Sequence, residues 1–124
     1  MAAMLTKEKR NRRIGFHRAT YKYFNKWQNK NVVLQSSWEV EIAELLDNEG
    51  IPWIRPRSIP WIDSEGKNRR YFPDFYLPEH DLYLDPKNEY CMKQDKEKMT
   101  AVAKKVEVWY GDISKLKEQI LTLV

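Results

Sequence analysis

The run Asn68-Arg69-Arg70-Tyr71-Phe72-Pro73-Asp74-Phe75-Tyr76-Leu77-Pro78-Glu79-His80-Asp81-Leu82-Tyr83-Leu84-Asp85-Pro86-Lys87 holds two strand signals separated by a turn. Asn68 to Phe72 reads as a strand that Pro73-Asp74-Phe75 ends. After the turn-like Pro78-Glu79-His80-Asp81, the segment Asp81 to Asp85 alternates as a further strand. Just upstream, Ile59 to Ile62 and the turn Asp63-Ser64-Glu65-Gly66 make a hairpin with Asn68 to Phe72, and Ile51 to Arg57 mixes β-formers with prolines. Before that, a serine cap at Ser36-Ser37 precedes Trp38, Ile42, Leu45 and Leu46 at helical spacing, and Gly50 supplies the stop. Downstream, Lys93 to Lys105 reads as a helix turning Met92, Met99, Val102 and Ala103 toward a core. Val106 to Tyr110 reads as a strand, and Ile113 to Leu123 as a last helix with Ile113, Leu116, Ile120 and Leu123 on one face. The order α-β-β-β-α-β-α implies an α/β fold, a mixed sheet flanked by helices.

A chain of 124 residues has room for one core and an appended segment. No run approaches the roughly 18 to 20 apolar residues of a membrane helix, and no apolar leader stands at the start, so the expectation is a soluble, intracellular protein without a membrane partner. One cysteine, Cys91, and two histidines, His17 and His80, offer no zinc constellation. Charge is distributed unevenly. Residues 1 to 34 carry nine basic side chains against one acid, Glu8, a net +8 in a chain whose total is +4, so the rest nets −4. A basic arm on an acidic body points to a polyanionic partner. Within the arm, residues 1 to 13 read as a flexible tail. From Phe16 to Trp27, aromatic residues interleave with Arg18, Lys22 and Lys26, a composition suited to phosphate contact and stacking, or to a short helix laying its aromatics on the body.

The acids at the strand ends carry the chemistry. Asp85 and Lys87 are two apart and share one side of a strand. If the two strands are neighbours, Asp74 joins them. Like charges converging on partly buried strand ends cost several kcal/mol or so unless a cation offsets them. Two aspartates, a backbone carbonyl and waters match Mg²⁺, and Mn²⁺ takes the same ligands. Such an ion activates water against a phosphodiester, with Lys87 orienting that water or helping to deprotonate it.

Pro73-Asp74, an eleven-residue step and Asp85-Pro86-Lys87 resemble the PD-(D/E)XK signature of restriction-endonuclease-like nucleases. With Ser36-Ser37-Trp38-Glu39 and Glu49-Gly50-Ile51 upstream, the chain is similar to phage-encoded PD-(D/E)XK homing endonucleases and, more distantly, to phage junction-resolving endonuclease I. The likeness spans about residues 36 to 110. It implies a restriction-endonuclease-like core over 35–124 behind a basic, aromatic-rich arm over 1–34. It further implies Asp74 and Asp85 as metal ligands, Pro86 lending its carbonyl, Lys87 at the water, and Glu39 as a helix-borne acid of the metal site. Glu39 also suits the positive end of its helix. Asp85 stands where the signature more often has Glu, and Pro86 removes an N–H, so the strand should end or lie at an edge there.

Double-stranded DNA is the implied substrate, with phosphate contacts expected from Arg10, Arg12, Arg13, Arg18, Lys22, Arg69 and Arg70. One site cuts one strand, so double-strand cleavage implies a homodimer or higher homo-oligomer. A site-specific phage or mobile-element endonuclease, a structure-selective nuclease and a non-catalytic DNA-binding module are the three readings. Lys87 beside two acids favours the catalytic pair.

Overall fold

In Tyr21-Lys22-Tyr23-Phe24-Asn25 every second side chain is buried, the period of a strand. A computed structural model describing residues 20–124 pairs this strand, β1 (Tyr21–Asn25), antiparallel with β2 (Lys30–Leu34), from Tyr21↔Leu34 to Asn25↔Lys30. Asn29 makes the turn at φ +54, a backbone conformation that asparagine tolerates better than most residues. Part of the segment expected to be an arm or short helix is thus a β-hairpin. Its period of two, with Tyr21, Tyr23, Val32 and Leu34 all buried on one face, outweighs the mixed composition that suggested a helix.

The buried face meets α1 (Ser37–Asn48), whose Ile42, Ala43 and Leu46 are fully enclosed. Ser36 caps the helix by accepting from the Glu39 N–H at 3.1 Å, and Gly50, at φ +70, ends it where a side chain would be strained. Two donors fasten hairpin to helix: the Tyr23 hydroxyl to Asp47 Oδ2 at 2.6 Å and the Trp27 indole to Asp47 Oδ1 at 3.0 Å. This compact unit ends at Pro52, and a second runs from Trp53 to Val124.

In the second unit β3 (Ile59–Ile62) and β4 (Asn68–Tyr71) form the expected hairpin. Its turn is tied by the Asp63 carboxylate, which accepts from the Glu65 and Lys67 N–H groups, both at 2.9 Å. A strand absent from the sequence reading follows, β5 (Phe75–Leu77). It pairs antiparallel with β6 (Leu82–Pro86), which pairs in parallel with β7 (Val108–Gly111). The parallel pair requires a long crossover, supplied by α2 (Glu89–Gln94) and α3 (Lys96–Ala103). The helix α4 (Ile113–Leu121) closes the chain. Ile51 to Arg57 contributes only the Ile54↔Tyr76 bridge, as its prolines lead one to expect.

Mixed α/β architecture therefore holds, with two differences. The described strands divide into sheets of two, two and three, the last of them mixed. The single helix expected over Lys93 to Lys105 breaks at Asp95, which lies at φ −97, ψ 10 and serves as the boundary of both α2 and α3. Ile59, Trp61 and Tyr71 of the β3–β4 hairpin pack with Met99 and Val102 of α3, and Tyr83 and Val108 lean on the same cluster. No helix among the described residues is long and apolar enough to cross a membrane.

Candidate active site

Asp74 immediately precedes β5, whose first residue Phe75 pairs with Leu84, the neighbour of Asp85 near the carboxyl end of the central strand β6. Asp74 thus opens β5 and does not end β4, as its sequence position suggested. Pro86 is the last residue of β6 and pairs only toward β7, opposite Gly111, so its missing N–H breaks no ladder bond on that flank. The strand ends there, as expected. Lys87 continues the backbone, donating its N–H to the Gly111 carbonyl at 2.8 Å.

With Asp85, only 4% exposed, four further side chains close a ring. The Lys87 ammonium lies 3.2 Å from Asp85 Oδ2 and 3.0 Å from Asp95 Oδ2. Lys98 reaches Asp95 Oδ1 at 3.4 Å, and its Nζ sits 5.3 Å from the centroid of the Tyr71 ring. The Tyr71 hydroxyl completes the circuit by donating to Asp85 Oδ2 at 2.5 Å. Beneath the strand start, the Arg55 guanidinium donates to the Asp74 carbonyl at 2.7 Å and fixes the backbone there.

The titration directions follow from this crowding. Burial raises the Tyr71 hydroxyl most, followed by the negative charge and hydrogen bond of Asp85 and the fields of Asp74 and Asp95. One phenol therefore senses all three aspartates. Burial pulls Lys87 down, but Asp85 and Asp95 together prevail and hold it above the ordinary lysine value, as a cation. Burial pushes Asp95 up, and Lys87 and Lys98 outweigh it, so its carboxyl titrates below the usual range. The two carboxylates of the ring are matched by its two ammonium groups, with Asp74 a further acid nearby.

Comparison with protein-family models, curated proteins and solved structures yields no match to this chain.

Among the described residues no group of three or more histidine, cysteine, aspartate or glutamate side chains is arranged to hold a metal ion. Magnesium does not require one. It is commonly bound by one or two carboxylates, with water and substrate phosphate oxygens filling the remaining positions. An all-oxygen pair such as Asp74 and Asp85 suits that hard ion.

The other residues singled out from sequence have varied fates. Glu39 belongs to the first unit and is 6% exposed. Its carboxylate accepts from the Gln35 N–H at 3.1 Å while its own N–H bonds Ser36, close to a capping box. Lys22 is exposed on the outer face of β1. Arg69 and Arg70 are exposed neighbours on one strand and so diverge, Arg69 to Asp63 at 2.8 Å and Arg70 to Ser58 Oγ at 2.6 Å. Arg10, Arg12, Arg13 and Arg18 lie outside the described residues. Sequence reasoning missed Tyr71, Asp95 and Lys98 as parts of the site. Tyr71 read as a strand residue, and the other two as the solvated face of a helix. At the same end of the sheet a cleft of about 760 Å³ opens, lined by Met92, Tyr110, Gly111, Asp112 and Lys115 among others.

Proposed function

We propose that this chain is a divalent-metal-dependent DNA endonuclease, with a restriction-endonuclease-like core that hydrolyses phosphodiester bonds at Asp74, Asp85 and Lys87. The observation that carries this reading is the pairing of a buried carboxylate with a lysine two residues on, at the end of a central strand whose neighbour brings in Asp74. The likeness of Pro73-Asp74 and Asp85-Pro86-Lys87 to the nuclease signature agrees with it.

Asp74, Asp85 and the Pro86 carbonyl would hold Mg²⁺, or Mn²⁺ in its place. When bound, the ion supplies an acidified water and polarises the scissile phosphate. The protein's own part is positioning and charge. Lys87, kept cationic by Asp85 and Asp95, orients the attacking water and faces the negative charge that builds on the phosphate. Asp85 and Asp95 hold that ammonium at the strand end, Lys98 pairs with Asp95 in turn, and Tyr71 fixes the rotamer of Asp85. The cleft beside Tyr110 opens at the carboxyl end of β7, the neighbour of the strand that carries Asp85. The similarity to phage homing endonucleases makes a specific duplex site the expected substrate, cut on both strands by a homodimer.

The decisive experiment is conversion of supercoiled plasmid to nicked and linear forms at low salt, with Mg²⁺ or Mn²⁺ against EDTA. The native chain is compared with Asp74→Ala and Lys87→Ala, alongside an immobile four-way junction and a pool of random duplexes. Metal-dependent cutting that falls at least a hundredfold in both variants is expected. Cutting preserved in both variants, or no cutting of any substrate, sinks the proposal. Preference for the junction would replace site specificity with structure selectivity.

A further inference from the structure

The hairpin of the first unit presents an unusual outer face. Its inner side chains dock on α1, and its outward positions are Lys22, Phe24, Asn31 and Val33, with Lys22 opposite Val33 and Phe24 opposite Asn31. Phe24 is 49% exposed and Val33 55%. Lys26 and Lys30 stand exposed at the turn end, and no acidic residue occurs from Thr20 to Gln35. The nearby acid, Asp47, receives the Tyr23 and Trp27 donors on the helix side.

We infer that this face binds an unpaired stretch of DNA, stacking a base on Phe24 while Lys22, on the face, and Lys26, at its turn end, meet the flanking phosphates. Cations on a face whose own strands carry no acid select a polyanion. An aromatic ring left open in mid-strand selects a base whose π-face is uncovered, which duplex DNA does not offer away from its ends. The surface is also rigid, since the Tyr23 and Trp27 bonds to Asp47 hold the hairpin on its helix, so stacking need not order the loop first. Sequence composition pointed to this segment as a whole. The structure separates the roles, turning Tyr21 and Tyr23 inward and Phe24 outward. The inference rests on the endonuclease reading only in naming DNA as the partner, and it gives that substrate an unpaired or frayed segment.

The test is fluorescence anisotropy with a labelled oligo-dT, a blunt duplex of equal length and an oligo-U, all in EDTA. Native chain, Phe24→Ser, Lys22→Ala and the exposed control Leu121→Gln are compared, and circular dichroism verifies folding. The single strand should bind tighter than the duplex. Phe24→Ser should weaken that binding roughly tenfold with the salt slope unchanged, and Lys22→Ala should lower the log–log salt slope by about 0.7. Leu121→Gln should bind as the native chain does. Equal binding by native and Phe24→Ser overturns the inference, as does preference for the duplex or for oligo-U. Plasmid cutting by the same protein preparations, assayed separately in Mg²⁺, separates the two claims. Cutting without any Phe24 effect on binding removes this surface alone, and Phe24-dependent binding without cutting removes the nuclease alone.

Discussion

Replacing Tyr71 with Phe removes one oxygen and leaves the ring in its cluster with Ile59, Trp61, Met99 and Val102. Lys98 keeps an aromatic face beneath it, so the change isolates the hydroxyl's bond to Asp85. That bond joins a 1% exposed tyrosine to a carboxylate in nearly dry surroundings. Hydrogen bonds to charged groups contribute about 1.5–3 kcal/mol, and Lys87 still offsets part of the charge. The expected loss is about 2 kcal/mol, a fall in Tm of about 8 °C for a chain of this length. Urea unfolding in EDTA should show it as a lower midpoint at unchanged slope. The sharper assay is a double-mutant cycle with Asp85→Asn, in which Tyr71→Phe should cost at least about 1 kcal/mol less than in the native background. A coupling under about 0.5 kcal/mol would refute the argument that this hydroxyl supports the Asp85 charge.

Lys87→Met leaves Asp85 buried without its ammonium and should destabilise the second unit by about 3 kcal/mol, while adding Asp85→Leu should recover most of the loss. Urea denaturation of the single and double variants decides it, and a double variant no more stable than the single contradicts it. Ser36→Ala should cost about 1 kcal/mol by removing the α1 cap. Glu39→Gln keeps an acceptor for the Gln35 N–H and should cost little stability, so plasmid cutting by that variant tells whether the acid also serves the metal site. Asp95 titrates below its ordinary value, so its stabilisation is present above about pH 4 and is lost as the pH falls through the folded value. Lys87 and the Tyr71 and Tyr23 hydroxyls titrate high, so their share is complete below about pH 10 and lost above it as the unfolded side chains ionise first. Urea midpoints should therefore be flat from about pH 5 to 9 and fall on both sides. Asp95→Asn should soften the acid limb, and an unchanged limb argues against its ion pairs.

Local signals were legible where a single segment carried them whole. Ser36 and Gly50 bound α1, Asp63 to Gly66 turns β3 into β4, and the apolar stripe of Leu116 and Ile120 places α4. Asp85 and Lys87 could be assigned one side of a strand because their spacing is local, and their 3.2 Å ion pair follows. What escaped was set by tertiary partners. Phe75 to Leu77 is three residues long, and only the pairing with β6 makes it a strand. Asp95 looked like a solvated helix residue, yet Lys87, eight positions earlier, and Lys98 both reach its side chain where the helix breaks. The β1–β2 hairpin was obscured by reading lysines and aromatics as composition, when Tyr21 and Tyr23 against Lys22 and Phe24 already alternate in and out.

The ring around Asp85 is a poor device for stability alone. Removing two charges from water costs several kcal/mol per ion, and well-packed apolar residues of similar volume commonly do as well or better. Asp85 lies on the face of β6 opposite the enclosed Leu82 and Leu84, the face of Tyr83, on a strand that could have continued apolar to its end. The fold instead surrounds that carboxylate with Lys87, Tyr71, Asp95 and Lys98, drawn from just past the end of β6, from β4, from the break between two helices and from α3. Tyr71 and Lys98 also belong to the contacts that seat the β3–β4 hairpin against α3, so the charge is held by residues the core already needs. Local rules broken at one buried acid, with compensation recruited from several elements, are what the proposed nuclease would require of its site. If Asp85→Leu with Lys87→Met proves more stable than the native chain and loses metal-dependent cutting, stability and function will have been separated at this ring.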